Sequence, residues 1–289
     1  MAKTVETFIA FGADIFALER MMRLLQAIAL ILTSYTSLLA LLQPPSAGAA
    51  AQHLATRATL LALQDWLNVT RRSLRTFWFL RAFDSSYARF RRQAGPLLGA
   101  EALLDVVAGS LLGVFGLLET ATLPDMLGIP GLAVFGPDAA RRLNEQAQLC
   151  WLLALLAAVL AAGVRVCQLW AERAVPAAAD FGEGKEAEEE EEEEEDEKGG
   201  RDDLVKKKKK KKRGVQEKRR RDKEEAARKT KAEIAALTVN MVNDTLDMVI
   251  PANFCGWSNF HPGQVGVAMA ITSLITLRGH WERCGRAVQ

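Results

Sequence analysis

Cysteine and histidine are scarce and scattered. Four cysteines (Cys150, Cys167, Cys255, Cys284) and three histidines (His53, His261, His280) are spread over 289 residues, with no CxxC pair. The ligand spacing of a zinc site is therefore missing, and no metal is expected. Cys150 and Cys167 flank an apolar run, where a thiol behaves as a small hydrophobe. There is no GxSxG, no GxxxxGK[ST], no GxGxxG after a strand and no Cys/His arrangement for nucleophilic catalysis. These absences predict a protein that is not an enzyme and carries no cofactor. Beta structure has no support in the pattern either. Glu6 and Asp14 interrupt the first apolar segment, so no secretory signal is expected and the sequons at Asn68 and Asn243 read as unused. The closing Arg-Ala-Val-Gln is no Ser-Lys-Leu-type address. Synthesis in the cytosol is the expectation.

What is present is charge, sharply segregated. The formal net charge is only +2, yet residues 1–92 hold 11 Lys/Arg against 5 Asp/Glu, a net of +6. Residues 180–233 hold 19 against 20, a net of −1. A basic N-terminal third favours acidic partners, anionic lipid headgroups above all.

Within that third, residues 66–92 read WLNVTRRSLRTFWFLRAFDSSYARFRR. At about 100° per residue, Trp66, Leu67, Val69, Leu74, Phe77, Trp78 and Leu80 share one side of a helix. Asn68, Arg71, Arg72 and Arg75 share the other, while Phe79, Arg81 and Phe83 break the division. A stripe of large rings backed by arginines suits a helix lying in a membrane interface, rings toward the acyl chains and guanidinium groups toward anionic headgroups. The competing reading is a core helix with solvated arginines.

Apolar runs complete the inventory. Val5–Leu42 reads as one helix, uniformly apolar from Ala27 onward, and Gln52–Arg92 as a second. Leu97–Leu118 is apolar but contains Glu101 and Asp105, each costing about 2.5–3.5 kcal/mol at a bilayer centre. Its Gly109 and Gly113 form a GxxxG spacing that permits close helix contact. Thr122–Pro137 reads as a loop. Ala147–Val164 has 18 residues without charge, about 27 Å of helix against a hydrocarbon core of about 30 Å. Its Ala154, Ala158 and Ala162 repeat at four, again suiting helix contact. Val265–Leu277, bracketed by Trp257 and Trp281, is a shorter span candidate.

Between these runs lies a different composition. Glu188–Glu195 is continuous acid and Lys206–Lys212 continuous base. Like-charge blocks build no core, so the segment reads as a linker or a solvated single helix. The organisation is thus an N-terminal amphipathic helical region (1–95), an apolar helical membrane region (96–175), a charged low-complexity linker (176–233) and a C-terminal helical membrane segment (234–289). The fold class is all-α, with membrane-associated helical hairpins, amphipathic helices and one to three membrane-spanning helices.

The order of four segments resembles the peroxin-11 family of peroxisomal membrane-elongation proteins. Leu18–Tyr35 (LERMMRLLQAIALILTSY) is similar to the family's N-terminal helix, and Thr70–Leu80 (TRRSLRTFWFL) to its basic amphipathic helix. Asn144–Leu153 (NEQAQLCWLL) resembles its central apolar segment. Val242–Trp281, with Asp244, Asp247, Gly266, Ser273 and Trp281, resembles its closing block. Ala27 stands where the family has tyrosine. The resemblance implies an integral peroxisomal membrane protein that elongates the membrane before fission by amphipathic helix insertion and self-association. It further implies fission machinery and a peroxisomal membrane-protein import receptor as partners, beside anionic lipids and a second copy of the chain. Two alternatives stand beside it. One is a metabolite channel lined by Glu101, Asp105 and Arg165. The other is a nucleic-acid protein using the lysine run, although the adjacent acid opposes that run's field and no nucleic-acid partner is expected.

Overall fold

The structure is a computed structural model that describes residues 2–38, 49–93, 99–174 and 202–288. Among the described residues there is no strand, and the chain is all-α. The helices are α1 (Ala2–Ala13), α2 (Ile15–Ser34), α3 (Ala49–Leu74), α4 (Trp78–Gln93) and α5 (Ala100–Ala121). After these come the single turn α6 (Leu123–Met126), then α7 (Pro137–Ala174), α8 (Asp202–Phe254) and α9 (Pro262–Ala287). They fall into two compact units, one made of Met1–Ala161 with Met241–Gln289 and the other of Ala162–Asn240.

Two expected helices are broken, the first at Asp14 and Tyr35 and the second once. Val5–Leu42 is interrupted at Asp14, whose carboxylate accepts the Phe16 N–H at 3.0 Å and caps α2. A short acidic side chain that bonds its own backbone competes with helix continuation and favours a new start. α2 closes at Tyr35, and residues 39–42 lie outside the described residues. Gln52–Arg92 is interrupted at residues 75–77, between α3 and α4, where Phe77 takes φ +71°. No glycine or proline stands there to mark the break.

α9 packs against α2, and α1 against α9. His261 caps α9 and Gln264 bonds back to it, a capping box with Pro262 in the first turn. The contact face of α9 is small: Gly263 lies under the Tyr35 ring and Gly266 against Ile31 and the Ala27 carbonyl. Ala268, Thr272 and Ser273 are buried beside them. At the opposite end of the pair, Asp14 accepts from Arg283 at 2.5 Å and lies 3.3 Å from His280. The Val265–Leu277 run is thus half of a helix–helix interface; its serine and threonine hydroxyls bond carbonyls one turn back.

α4 and α5 form a second hairpin. Gly109, Gly113 and Gly116, spaced four and three, make one face of α5. Ser86, Phe83 and Phe79 of α4 close on it in the matching reverse order. A Cβ at Gly113 would stand 2.5 Å from the Phe83 ring, so only glycine admits this approach. Ser86 reinforces it by donating to the Val106 carbonyl at 2.8 Å.

Two described helices are long and apolar enough to cross a membrane: α5, and Pro137–Ala171 of α7. Only 17% and 22% of their most apolar windows are buried, whereas a core helix of similar composition would be mostly covered. α8 runs without interruption to Phe254. From Glu217 onward its charged residues pair one turn apart, as in Glu217–Arg221 and Glu225–Lys229. The second half of the charged insert is thus a helix rather than a structureless linker.

Candidate membrane surface and the buried ion network

The first unit buries several charged side chains and leaves many large apolar ones exposed. Its largest fully buried side chain is that of Glu19 on α2. Arg71 donates to Glu19 from Nε at 2.9 Å and from Nη2 at 2.8 Å, and from Nη1 to Gln26 at 2.5 Å. Arg20 Nε stands 3.4 Å from the other Glu19 oxygen. Arg75 reaches two acids: its Nη1 is 3.9 Å from Glu19 and its Nη2 donates to Glu119 of α5 at 2.8 Å. Arg72 Nε lies 3.5 Å from Glu119, and its Nη1 faces the Met126 sulfur at 2.8 Å. A separate pair joins Arg23 of α2 to both carboxylate oxygens of Asp247 on α8. Helices α2, α3, α5 and α8 are therefore tied by ions through their interior.

Removing two opposite charges from water costs several kcal/mol per ion unless each is well matched. Burial alone would raise the Glu19 carboxyl, but Arg71, Arg75 and Arg20 hold it down to about 2. Burial disfavours the Arg71 cation and Glu19 supports it. Asp244, one turn before Asp247, is pushed up by burial, with Asn243 opposing and Asp247 adding to the rise. The matching is incomplete. The Nε groups of Arg72 and Arg75 and the second oxygen of Glu19 are buried without a hydrogen-bond partner.

The arginines expected to meet anionic headgroups are instead turned inward to carboxylates. Arg71 and Arg72 are buried and Arg75 is half-buried, all three in carboxylate pairs. The helical wheel separated them from the rings, but it carries no information about Glu19 and Glu119 on neighbouring helices. The signal was there in another form: each acid lies beside a long apolar stretch, where an unpaired carboxylate would be costly.

The expected apolar stripe divides. Trp66, Phe77 and Leu80 are exposed, Phe77 by 66%. Leu67 is buried, Val69 and Leu74 are half-buried, and Trp78 packs on Phe16 with ring centroids 4.5 Å apart. The outer face of α4 carries further exposed apolar groups, Tyr87 and Phe90, among Arg81, Arg89, Arg91 and Arg92. The Arg81 guanidinium lies 5.3 Å from the Phe16 ring centre. The most amphipathic surface therefore sits a turn or two later than the sequence pattern placed it.

Gly109 and Gly113 lie within the chain against Ser86 and Phe83 of α4. On α7, Ala154 is buried and Ala158 and Ala162 are half-buried, with Ala157 and Ala161 completing the covered stripe. Phe115 of α5 stacks on Trp151 of α7 at 5.3 Å. Other exposed apolar groups spread over α1, α2, α3 and the loop after α6, including Phe8, Ile9, Leu25, Leu54, Ile129 and Phe135. Among the described residues no group of three or more His, Cys, Asp or Glu is placed to hold a metal ion.

The family model for Peroxisomal biogenesis factor 11 (PEX11) matches residues 5–281, nearly the whole chain. Comparison with curated proteins and with solved structures yields no match.

Proposed function

Because the chain belongs to the peroxisomal biogenesis factor 11 (PEX11) family, we propose that it is an integral peroxisomal membrane protein that elongates the organelle membrane during proliferation and fission. It does so by inserting an amphipathic helix into one leaflet, with self-association concentrating the effect. The observation that carries this reading is the burial of paired charges beside many exposed rings and aliphatic groups. Large apolar groups exposed in such number mark a surface that meets a membrane or a partner. In lipid the same distribution is favourable, since ionisable groups there face the bundle interior and pair with one another.

The pairing of α2 with α9 limits the topology. Neither α2 nor α9 is among the described helices long and apolar enough to cross, so the packed pair lies on one side of the bilayer and the chain between them crosses an even number of times. α5 and α7 supply two crossings, with residues 122–136 on the far side. Both ends of the chain then share the near side. The exposed face of α3 and α4, with Trp66, Phe77, Leu80, Tyr87 and Phe90, enters the interface, and Arg81, Arg89, Arg91 and Arg92 meet anionic headgroups. The small-residue stripe of α7 (Ala154, Ala158, Ala162) serves contact with a second copy. Fission machinery and an import receptor are partners on the ground of family alone.

Purified full-length protein mixed with phosphatidylserine-containing vesicles tests this directly. The parent binds them and draws tubules. Phe77→Ser with Leu80→Ser, two exposed positions whose loss leaves the bundle intact, weakens binding at every salt concentration and abolishes tubules. Equal tubulation by the double variant would reject insertion of this helix.

A further inference from the structure

Three observations at the α3–α4 junction belong together. Phe77 holds a left-handed backbone, φ +71°, a conformation that bulky side chains rarely adopt and that persists only where surroundings enforce it. The residues around it, Ser-Leu-Arg-Thr-Phe-Trp-Phe, include no glycine or proline and continue one amphipathic pattern from α3 into α4. The enforcing contacts are Glu119 on Arg72 and Arg75, immediately before the break, and the glycine face of α5 under Phe79, Phe83 and Ser86, immediately after it. These contacts satisfy the arginines only in part, because the Nε groups of Arg72 and Arg75 make no hydrogen bond, Arg72 Nε standing 3.5 Å from Glu119.

The outer surface of α4 adds a conflict. Arg81, Asp84, Arg89, Arg91 and Arg92 are exposed on a helix that is clasped along α5. α5 is one of the two helices fit to cross a membrane. Were α5 to cross with α4 still seated on it, those charges would enter the hydrocarbon layer, where ionisable groups are rare and costly. Seating of α4 and insertion of α5 therefore exclude one another.

We infer that α4 is an autoinhibitory strap on α5, latched by the Glu119–Arg72–Arg75 ion pairs and hinged at Thr76–Phe77. On an anionic bilayer the strap leaves α5, residues 75–77 wind into helix, and α3 and α4 become one amphipathic helix lying in the interface. Headgroup phosphates then replace Glu119 as counter-charge and supply acceptors that the carboxylate leaves wanting. This rests on the insertion mechanism proposed above and adds its control: the folded chain withholds the wedge until the bilayer competes for it.

A reversible lock tests the strap. Ser86 Oγ on α4 and Ser110 Oγ on α5 are 2.9 Å apart, so Ser86→Cys with Ser110→Cys places two thiols to bridge. The four native cysteines are replaced by alanine in this background. Oxidised protein should fail to tubulate phosphatidylserine-containing vesicles, and reduction of the same sample should restore tubulation. Equal tubulation by both forms overturns the strap while leaving helix insertion standing. Failure of the parent to remodel such vesicles removes both. If the reduced pair is itself inactive, spin labels at Thr59→Cys and Ser85→Cys, both exposed in α3 and α4, decide the matter without the lock. Their separation of 26 positions spans about 39 Å in one continuous helix. That distance should appear on vesicles containing phosphatidylserine and give way to a shorter one on phosphatidylcholine alone. An unchanged distance overturns the strap, and so does lengthening by inorganic phosphate on phosphatidylcholine, which would remove the bilayer as trigger.

Discussion

At the scale of single residues, Glu19 bears the most. Its carboxyl is held down to about 2 against a reference of 4.5, so the folded state binds its proton more weakly than the unfolded state. The stability it contributes is complete above about pH 4.5 and is lost as pH falls toward 2. Denaturant unfolding in detergent, followed from neutral pH downward, should show the loss in that window, and Glu19→Gln should flatten it. At neutral pH that substitution should cost about 3 kcal/mol, because it leaves Arg71 buried beside an uncharged partner. Phe77 gives a second prediction at this scale. Glycine accepts a positive φ freely, so Phe77→Gly should hold the melting temperature of the closed bundle near that of the parent. Phe77→Val, β-branched in the same conformation, should lower stability by about 1–3 kcal/mol.

At the scale of elements, the hairpin of α4 and α5 is the sharpest case of close approach. Gly113→Leu should drive the Phe83 ring off its seat and cost about 1–3 kcal/mol by overpacking. Phe83→Ala added to it should recover part of that loss, a non-additivity measurable as a double-mutant cycle. α7 offers a prediction independent of the hairpin. Arginines at Leu155 and Val159, near the middle of its apolar stretch, should prevent integration, read as release of the protein by alkaline carbonate. Helix type and most helix positions were legible in the sequence, because the apolar runs at Ala147–Val164 and Leu97–Leu118 are long and the strand alternation is absent. The boundaries at Asp14 and at residues 75–77 were not. The first depends on a side-chain cap, and the second on an acid 44 residues further along the chain. The same reason explains the arginines: periodicity reports which side of a helix a residue occupies, while its partner is set by tertiary packing. The glycine spacing at 109 and 113 was readable as a contact, but which helix it receives was not.

At the scale of the whole molecule, a chain of the peroxisomal biogenesis factor 11 family combines buried ion pairs with many exposed apolar groups. The proposed even number of crossings puts both chain ends on one side. Protease treatment of intact organelles carrying a tag at each end should therefore remove both tags, and protection of one alone would contradict the topology. The central claim is that the exposed face around Phe77 and Leu80 deforms the organelle membrane. It is tested most directly by imaging tagged full-length protein beside a peroxisomal marker, parent against the Phe77→Ser, Leu80→Ser pair. The parent should give elongated, more numerous peroxisomes and the pair round, few ones, both proteins reaching the organelle. Equal elongation by the pair would contradict it.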